Sequence, residues 1–287
     1  STYVNLYKAQ QMVAAVKENL KSAHQRVKDF SAMEQNGLLA RNDLLKAQLQ
    51  ESNINLTLQE AQKNVSILNY RLATFLKLPD NFTFKLPEET IGVTPSVERI
   101  TIQRADLEAL DYRQKASENS IKMAKAAYYP SIALIGGYAA LDIQNALTVT
   151  NAINIGVGVS YDISKIFKAK NDVKLAQHKA EELQYNIAKA KDDVKIQVKN
   201  AKEEYQLALT QFEVYSQSQE QAEENYRIVK DKYDNGLLDT NDLLEADVEQ
   251  LQSKINKTNA RADISLKYYQ LLQAEGHLTN KFNFKNN

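Results

Sequence analysis

The chain has 287 residues, with 43% apolar and 25% charged side chains, no cysteine, no tryptophan, and 36 basic residues against 36 acidic ones. A zero formal charge without a polybasic run removes the attraction on which nucleic-acid and anionic-membrane binders rely. The missing cysteines exclude disulfides, thiolate catalysis and cysteine-ligated metal centres, and no stretch reaches the roughly 20 apolar residues of a membrane-spanning helix, so any membrane contact must come through strands.

From the first residue, Leu6, Ala9, Val13, Val16, Leu20, Ala23, Val27 and Phe30 step by threes and fours, which is the seam of a long packed helix. It ends at Asn36-Gly37, where the Asn-Gly pair supplies the left-handed geometry a helix end needs. A second helix follows, with Asn42 expected as its N-cap and Asp43 at its first position. Leu38 and Leu39 sit at the tip of this hairpin, exposed unless a partner covers them or they fold back on the hairpin itself. The segment from Leu78 to Ile100 contains Pro79, Pro87 and Pro95 and reads as a non-helical connector. A shorter helix from about Arg104 to Tyr128 then leads to Pro130.

From Ser131 to Tyr161 the period changes from seven to two. One strand, Ser131 to Leu141, places Ile132, Leu134 and Tyr138 on one face; the next places Ile153, Ile155, Val157, Val159, Tyr161 and Ile163 on one face and only small or polar residues on the other. The strands are long enough to cross a bilayer and carry flanking tyrosines, yet a hairpin covering a helical layer fits the same pattern. No glycine or proline occurs over the 77 residues from Val159 to Asn235. A helix over most of that run would be on the order of 100 Å long, so the expectation is a rod or coiled coil. Its seam runs from Ile166 through Ala169, Val173 and onward to Tyr226, Val229 and Tyr233, with one stutter at Val194 and Val198.

The chain is internally duplicated. A shift of 199 residues lays Asn36-Gly37-Leu38-Leu39 and Asn42-Asp43-Leu44-Leu45 onto Asn235-Gly236-Leu237-Leu238 and Asn241-Asp242-Leu243-Leu244, and the first helical seam onto Tyr205 through Val229. Asn241 is accordingly the expected cap of the last long helix. His24, His178 and His277 lie far apart without a second ligand at helical or turn spacing. No phosphate loop, nucleophile elbow or zinc-binding histidine pair occurs, so neither an enzyme nor a cofactor or metal site is expected.

The duplicated hairpin with its NGLL and NDLL tips, the Tyr128-Tyr129-Pro130-Ser131-Ile132 entry into a glycine-bearing strand, and a second strand running into a very long helix resemble the TolC-type outer-membrane efflux proteins. The resemblance covers essentially the whole chain. It implies a mainly α fold of long antiparallel coiled-coil hairpins, of α-barrel type, with a β-hairpin contributing to a membrane β-barrel. The parts would be a first hairpin over 1–77 with its tip at 36–42, a non-helical equatorial connector over 78–102, a helix over 103–129 and the β-hairpin over 130–163. A second hairpin over 164–277 with its tip at 235–241 and a tail over 278–287 would complete the chain.

In function the resemblance implies a passive homotrimeric export duct of the bacterial outer membrane, extending into the periplasm, in a tripartite efflux or type I secretion system. Its partners would be a periplasmic adaptor (membrane fusion) protein, an inner-membrane pump reached indirectly, and outer-membrane lipid. Gly37, Leu38, Leu39, Gly236, Leu237 and Leu238 match the tips that meet the adaptor, and Asp242 and Glu245 match the acidic pore constriction. Three copies would bring about six carboxylates together and favour cations. Tyr233 and Asp43 match a pair that holds the entrance shut, while Leu238 stands where the family has a basic partner. Ile153, Ile155, Val157, Val159 and Tyr161 would face lipid. The family carries a further helix and strand pair ahead of the segment that begins at Ser1, so the expectation is a C-terminal fragment whose three copies would supply half the usual strands. The competing reading is a soluble periplasmic coiled-coil scaffold without channel activity, separated from the first by whether the 153–163 face is buried on the chain's own helices.

Overall fold

A computed structural model describes residues 1–86, 102–143 and 147–281. The elements run in the order α1 (Thr2–Gln35), α2 (Arg41–Phe75), α3 (Ala105–Ala126), β1 (Ser131–Ile143), β2 (Leu147–Ser160), α4 (Ile163–Asp234), α5 (Thr240–Glu275) and α6 (Leu278–Lys281). The architecture is mainly α, built on long antiparallel hairpins with a single β-hairpin among the described residues. The chain divides into two units, Ser1–Ile102 with Gln197–Asn287, and Gln103–Ile196. Helix α4 runs through both; its 72 residues correspond to about 108 Å at the α-helical rise.

Every seam position named in α1 is buried or half-buried, and so is each seam residue of α4 from Ile166 to Tyr233, while most residues between them are exposed. A stripe of this width buries one side of a helix against another helix and leaves the rest to water. The first unit therefore has no single globular core. Its apolar contacts form patches strung along the helices. Phe30, Leu44, Ala47 and Leu243 pack at the hairpin tips with Val27, Met33, Leu39, Tyr226, Val229 and Tyr233 around them. Val16, Ala23, Ile54 and Leu58 form a patch farther along, and Tyr205, Ala208, Ile264, Tyr268, Leu271 and Leu272 join α4 to the far end of α5. The duplication is visible in this packing. Leu44 and its counterpart Leu243 are both buried, as are Ala47 with Ala246 and Ala61 with Ala260.

After α2 the chain turns through Lys77, which adopts a left-handed φ of 54°, the conformation glycine takes at the other hairpin ends. The described part of the connector, to residue 86, folds back along the first hairpin. The Asn69 side chain hydrogen-bonds Phe82 and Phe84, Gln10 donates to the Phe84 carbonyl at 2.7 Å, and Leu86 packs against α1. The remaining connector, residues 87–101 with Pro87 and Pro95, lies outside the described residues, as do 144–146 and the tail 282–287.

In the second unit, α3 buries none of its side chains. Asp111 on α3 pairs with Lys191 on α4 at 3.0 Å. The strands form one antiparallel pair in which Ile132 lies opposite Val159, Leu134 opposite Val157, Gly136 opposite Ile155 and Tyr138 opposite Ile153. The strand limits differ from the sequence reading, with β1 running on to Ile143 rather than ending at Leu141. β2 ends at Ser160, so Tyr161 lies just beyond it, and Ile163 is the first residue of α4 rather than the last of the strand. The reason is Asp162, whose carboxylate accepts from the Ser164 backbone N–H at 3.0 Å and its hydroxyl at 2.7 Å. That interaction caps a helix start and takes the chain out of the extended conformation.

Candidate docking tips, gate and membrane face

Both tips are closed by the same hydrogen-bonded turn. At the first, Gly37 N–H donates to the Glu34 carbonyl and Leu38 N–H to the Met33 carbonyl, each at 2.9 Å; at the second, Gly236 donates to Tyr233 and Leu237 to Lys232, again at 2.9 Å. The Asn36 and Asn235 side chains close one further carbonyl each, at 2.7 and 2.8 Å. This double bond pattern requires a left-handed residue after the helix, and Gly37 and Gly236 adopt φ of 71° and 72°. The turn separates the paired leucines. Leu38 and Leu237 are 73% and 72% exposed, whereas Leu39 and Leu238 are half-buried and Leu39 packs into the tip cluster. Each hairpin thus presents one bare leucine at its end.

The helix starts after the tips differ from the expected ones. The caps are Ala40 and Asp239, and Asn42 and Asn241 already lie inside α2 and α5. Asp239 is extended, at φ −94° and ψ 173°, and its carboxylate accepts from the Asn241 and Asp242 N–H groups at 2.7 and 3.1 Å. Asp242, at the third helical position, reaches back to the Asp239 N–H at 3.3 Å and completes a reciprocal cap. The first tip has no side-chain cap. Both Asp242 and Glu245 are exposed and stand one helical turn apart on α5. Their counterparts in the first hairpin are Asp43 and Lys46, an ion pair at 3.4 Å. Equivalent positions therefore carry an ion pair on one hairpin and, on the other, two carboxylates that form no ion pair among the described residues.

Tyr233 is packed in the tip cluster, its ring 5.9 Å from that of Phe30. Burial raises the pKa of its hydroxyl; a hydrogen bond with Thr240 works against this, and the nearby Asp43 and Asp234 charges add to it. Asp43 thus acts on Tyr233 through its field, and its ion-pair partner within the chain is Lys46.

A group that sequence reasoning missed lies near Tyr233, among the packed helices. Arg26 on α1 forks onto Asp247 on α5, at 3.0 and 3.2 Å, and the two are 9% and 2% exposed. Gln50 of α2 and Asn19 of α1 each donate to the same carboxylate at 3.3 Å, and Arg26 reaches the Tyr226 hydroxyl of α4 at 3.5 Å. The pKa of Arg26 is raised: burial lowers it, and the bond and charge of Asp247 together with Tyr226 outweigh that. One buried ion pair thereby ties all four helices of the two hairpins together. Its sequence signal was Arg26 itself, a charge one turn beyond the seam residue Ala23 and beside Val27.

On the β-hairpin, the register puts Ile132, Leu134 and Tyr138 on the same face as Ile153, Ile155, Val157 and Val159, and all seven side chains are exposed. The opposite face carries Ala133, Ile135, Gly137, Asn154, Gly156 and Gly158. A methyl group on Gly137 would lie 2.7 Å from the Asn154 side-chain oxygen, so glycine is what lets that amide lie across the strand pair. Within the second unit, the described residues leave this apolar face uncovered. No helix of the described residues is long and apolar enough to cross a membrane. Among the described residues no group of three or more histidine and acidic side chains gathers to hold a metal; His24 on α1 pairs with Glu51 on α2, and His178 pairs with Glu181 within α4.

The family model described as Outer membrane efflux protein matches residues 97–277. This chain belongs to that family. No curated protein matches it significantly. Among solved structures, the outer-membrane channel OprN matches at 17% identity with a TM-score of 0.82, covering 96% of this chain and 64% of OprN. The CmeC outer membrane channel of Campylobacter jejuni matches at 22% identity and a TM-score of 0.78, over 96% of this chain and 61% of CmeC. The outer membrane protein VceC of Vibrio cholerae matches at 18% and 0.81, over 96% and 68%. This outer membrane efflux protein thus shares the fold of outer-membrane channels while spanning about two-thirds of their length. The family and its solved neighbours are channels rather than enzymes.

Proposed function

We propose that this efflux protein contributes to a passive, trimeric export duct of the bacterial outer membrane, in a tripartite efflux or type I secretion system. Its β-hairpin faces lipid, its helical hairpins extend into the periplasm, and a periplasmic adaptor docks at both tips and links it to an inner-membrane pump. The observation that carries the reading is the strand register, which gathers seven large apolar side chains onto one uncovered face. An outward apolar band is what a transmembrane barrel strand requires, and the opposite face is small or polar apart from Ile135. The matched tips, each with one exposed leucine on a rigid turn, support docking by a helical partner.

In this reading Asp242 and Glu245 line the constriction, and Tyr233 with Asp43 belongs to the closed entrance. These carboxylates draw cations and repel one another across the three-fold axis, so a closed arrangement must be held by contacts elsewhere in the tips. Light scattering of the purified protein with and without detergent tests the assembly. A detergent-dependent trimer is expected; a monomer in both conditions overturns the duct role for this chain. Cation selectivity in planar bilayers should fall on Asp242→Asn with Glu245→Gln, and an unchanged reversal potential removes these residues from the pore.

A further inference from the structure

The last residue of α5, Glu275, is 7% exposed and its Oε2 atom is buried without a hydrogen-bond partner. Beside it lies the apolar patch of Tyr205, Tyr268, Leu271 and Leu272, against which Leu278 also packs. The chain leaves α5 through Gly276 in the left-handed conformation, at φ 88°, with His277 N–H donating to the Leu272 carbonyl at 2.8 Å. Three features oppose a negative charge at this place. The carboxyl group is withdrawn from water, one oxygen lacks a donor, and it stands at the helix C-terminus, where the backbone dipole is itself negative. Two charged groups face it and favour ionisation, Lys202 from α4 and the His277 ring from the segment after α5; burial outweighs both and raises the pKa of Glu275.

We propose that Glu275 is a proton-operated clasp: protonated, it lets the last turn of α5 and the segment Gly276–Lys281 lie closed against α4, and ionised, it admits water and loosens that end. The physical basis is linkage. When the end opens, the carboxyl group regains an ordinary carboxylate pKa. Between that value and the raised value of the closed form, each unit of rising pH makes opening about tenfold easier. The closed form is therefore most populated in acid, and its advantage is lost as pH rises through the raised pKa. The device is separate from tips and gate, since α5 carries Asp242 at its other end.

The test is hydrogen exchange read by mass spectrometry over residues 268–281 of the full chain between pH 4.5 and 8, corrected for the intrinsic chemical rate. Protection of the native chain should fall with rising pH and then level off, while Glu275→Gln should hold its acid-pH protection throughout. Lys202→Met should move the pH at which the loosening levels off to a higher value, because it removes a charge that favours the carboxylate in the closed form, and it reports on the clasp even if the glutamine variant folds poorly. An unchanged pH profile in Glu275→Gln, a flat profile in the native chain, or a profile abolished by His277→Gln overturns the assignment.

Discussion

Removing the Asp247 carboxylate by Asp247→Ala should be the most damaging single change in the hairpins, because Arg26 keeps its charge and loses its main partner inside the packed helices. Arg26 is 9% exposed, and its remaining polar neighbours are Gln50 at 3.4 Å and the Tyr226 hydroxyl at 3.5 Å, neither of them charged acceptors. Breaking a buried, forked ion pair in this way costs about 3–5 kcal/mol. Gln50 and Asn19 also lose the acceptor they share, but both are half-buried and Gln50 keeps its bond to the Leu244 carbonyl at 3.3 Å, so this adds less than about 1 kcal/mol. The double variant Arg26→Met with Asp247→Leu removes both charges and restores apolar volume, so it should lie within about 1–2 kcal/mol of the native protein. Urea denaturation of the native protein, Arg26→Met, Asp247→Leu and the double variant, followed by circular dichroism, measures the coupling. If Asp247→Ala costs less than about 1 kcal/mol, water reaches Arg26 freely and the pair is not the tie between hairpins described here.

Asp239→Ala should destabilise the protein by about 1 kcal/mol by removing the cap of α5, and the same change at Ala40 is already present in nature's first tip, so the loss should be specific to the second hairpin in hydrogen exchange. Lys77→Gly should raise the melting temperature, since a left-handed φ of 54° costs a side-chain-bearing residue about 1 kcal/mol that glycine avoids; a lower melting temperature refutes this. Gly236→Ala, the reverse exchange, should cost a similar amount for the same reason, because φ is 72° there and an added Cβ meets no other atom within 4 Å, leaving only backbone strain. Leu38→Asp with Leu237→Asp should leave helicity and melting unchanged, since both side chains are exposed, and abolish cross-linking to the adaptor; persistent cross-linking would sink the tip assignment.

The hairpins were legible because their information is local and periodic. Tyr205 or Ala208 can be assigned to a seam from its own neighbours, and the Asn36-Gly37 turn is written in two adjacent residues. The β-hairpin was legible in its faces and less so at its ends, since Ile163 continues the alternation while Asp162 has already begun α4 through bonds to Ser164. The helix caps were misplaced by two residues for a related reason. Asn42 and Asn241 have the right chemistry, yet the turn after Gly37 and Gly236 is short enough that the chain enters the helix earlier, and Asp239 performs the capping at the second tip. The Arg26 and Asp247 pair was not legible, because 221 residues separate its members and neither breaks the periodicity around it.

The duplication explains why that pair escapes a reading by repeat. At the shift of 199 residues, Arg26 corresponds to Asn225, Asn19 to Ser218 and Gln50 to Glu249, while Asp247 corresponds to Gln48. None of these counterparts reproduces the ion pair. The same holds just after the tips, where Asp43 and Lys46 form an ion pair and Asp242 and Glu245, of like charge, cannot. What the copies share is what each hairpin needs by itself, namely the turn, the bare leucine and the small buried residues Ala47 and Ala246. What differs is what one hairpin offers the other. Two identical hairpins would pair with equal ease through any equivalent faces, and a charge of one sign buried on each removes that degeneracy, because only the Arg26 face against the Asp247 face leaves no charge unpaired. The arrangement that fixes α5 against α1 through Asp247 also leaves Asp242 and Glu245 exposed on that helix.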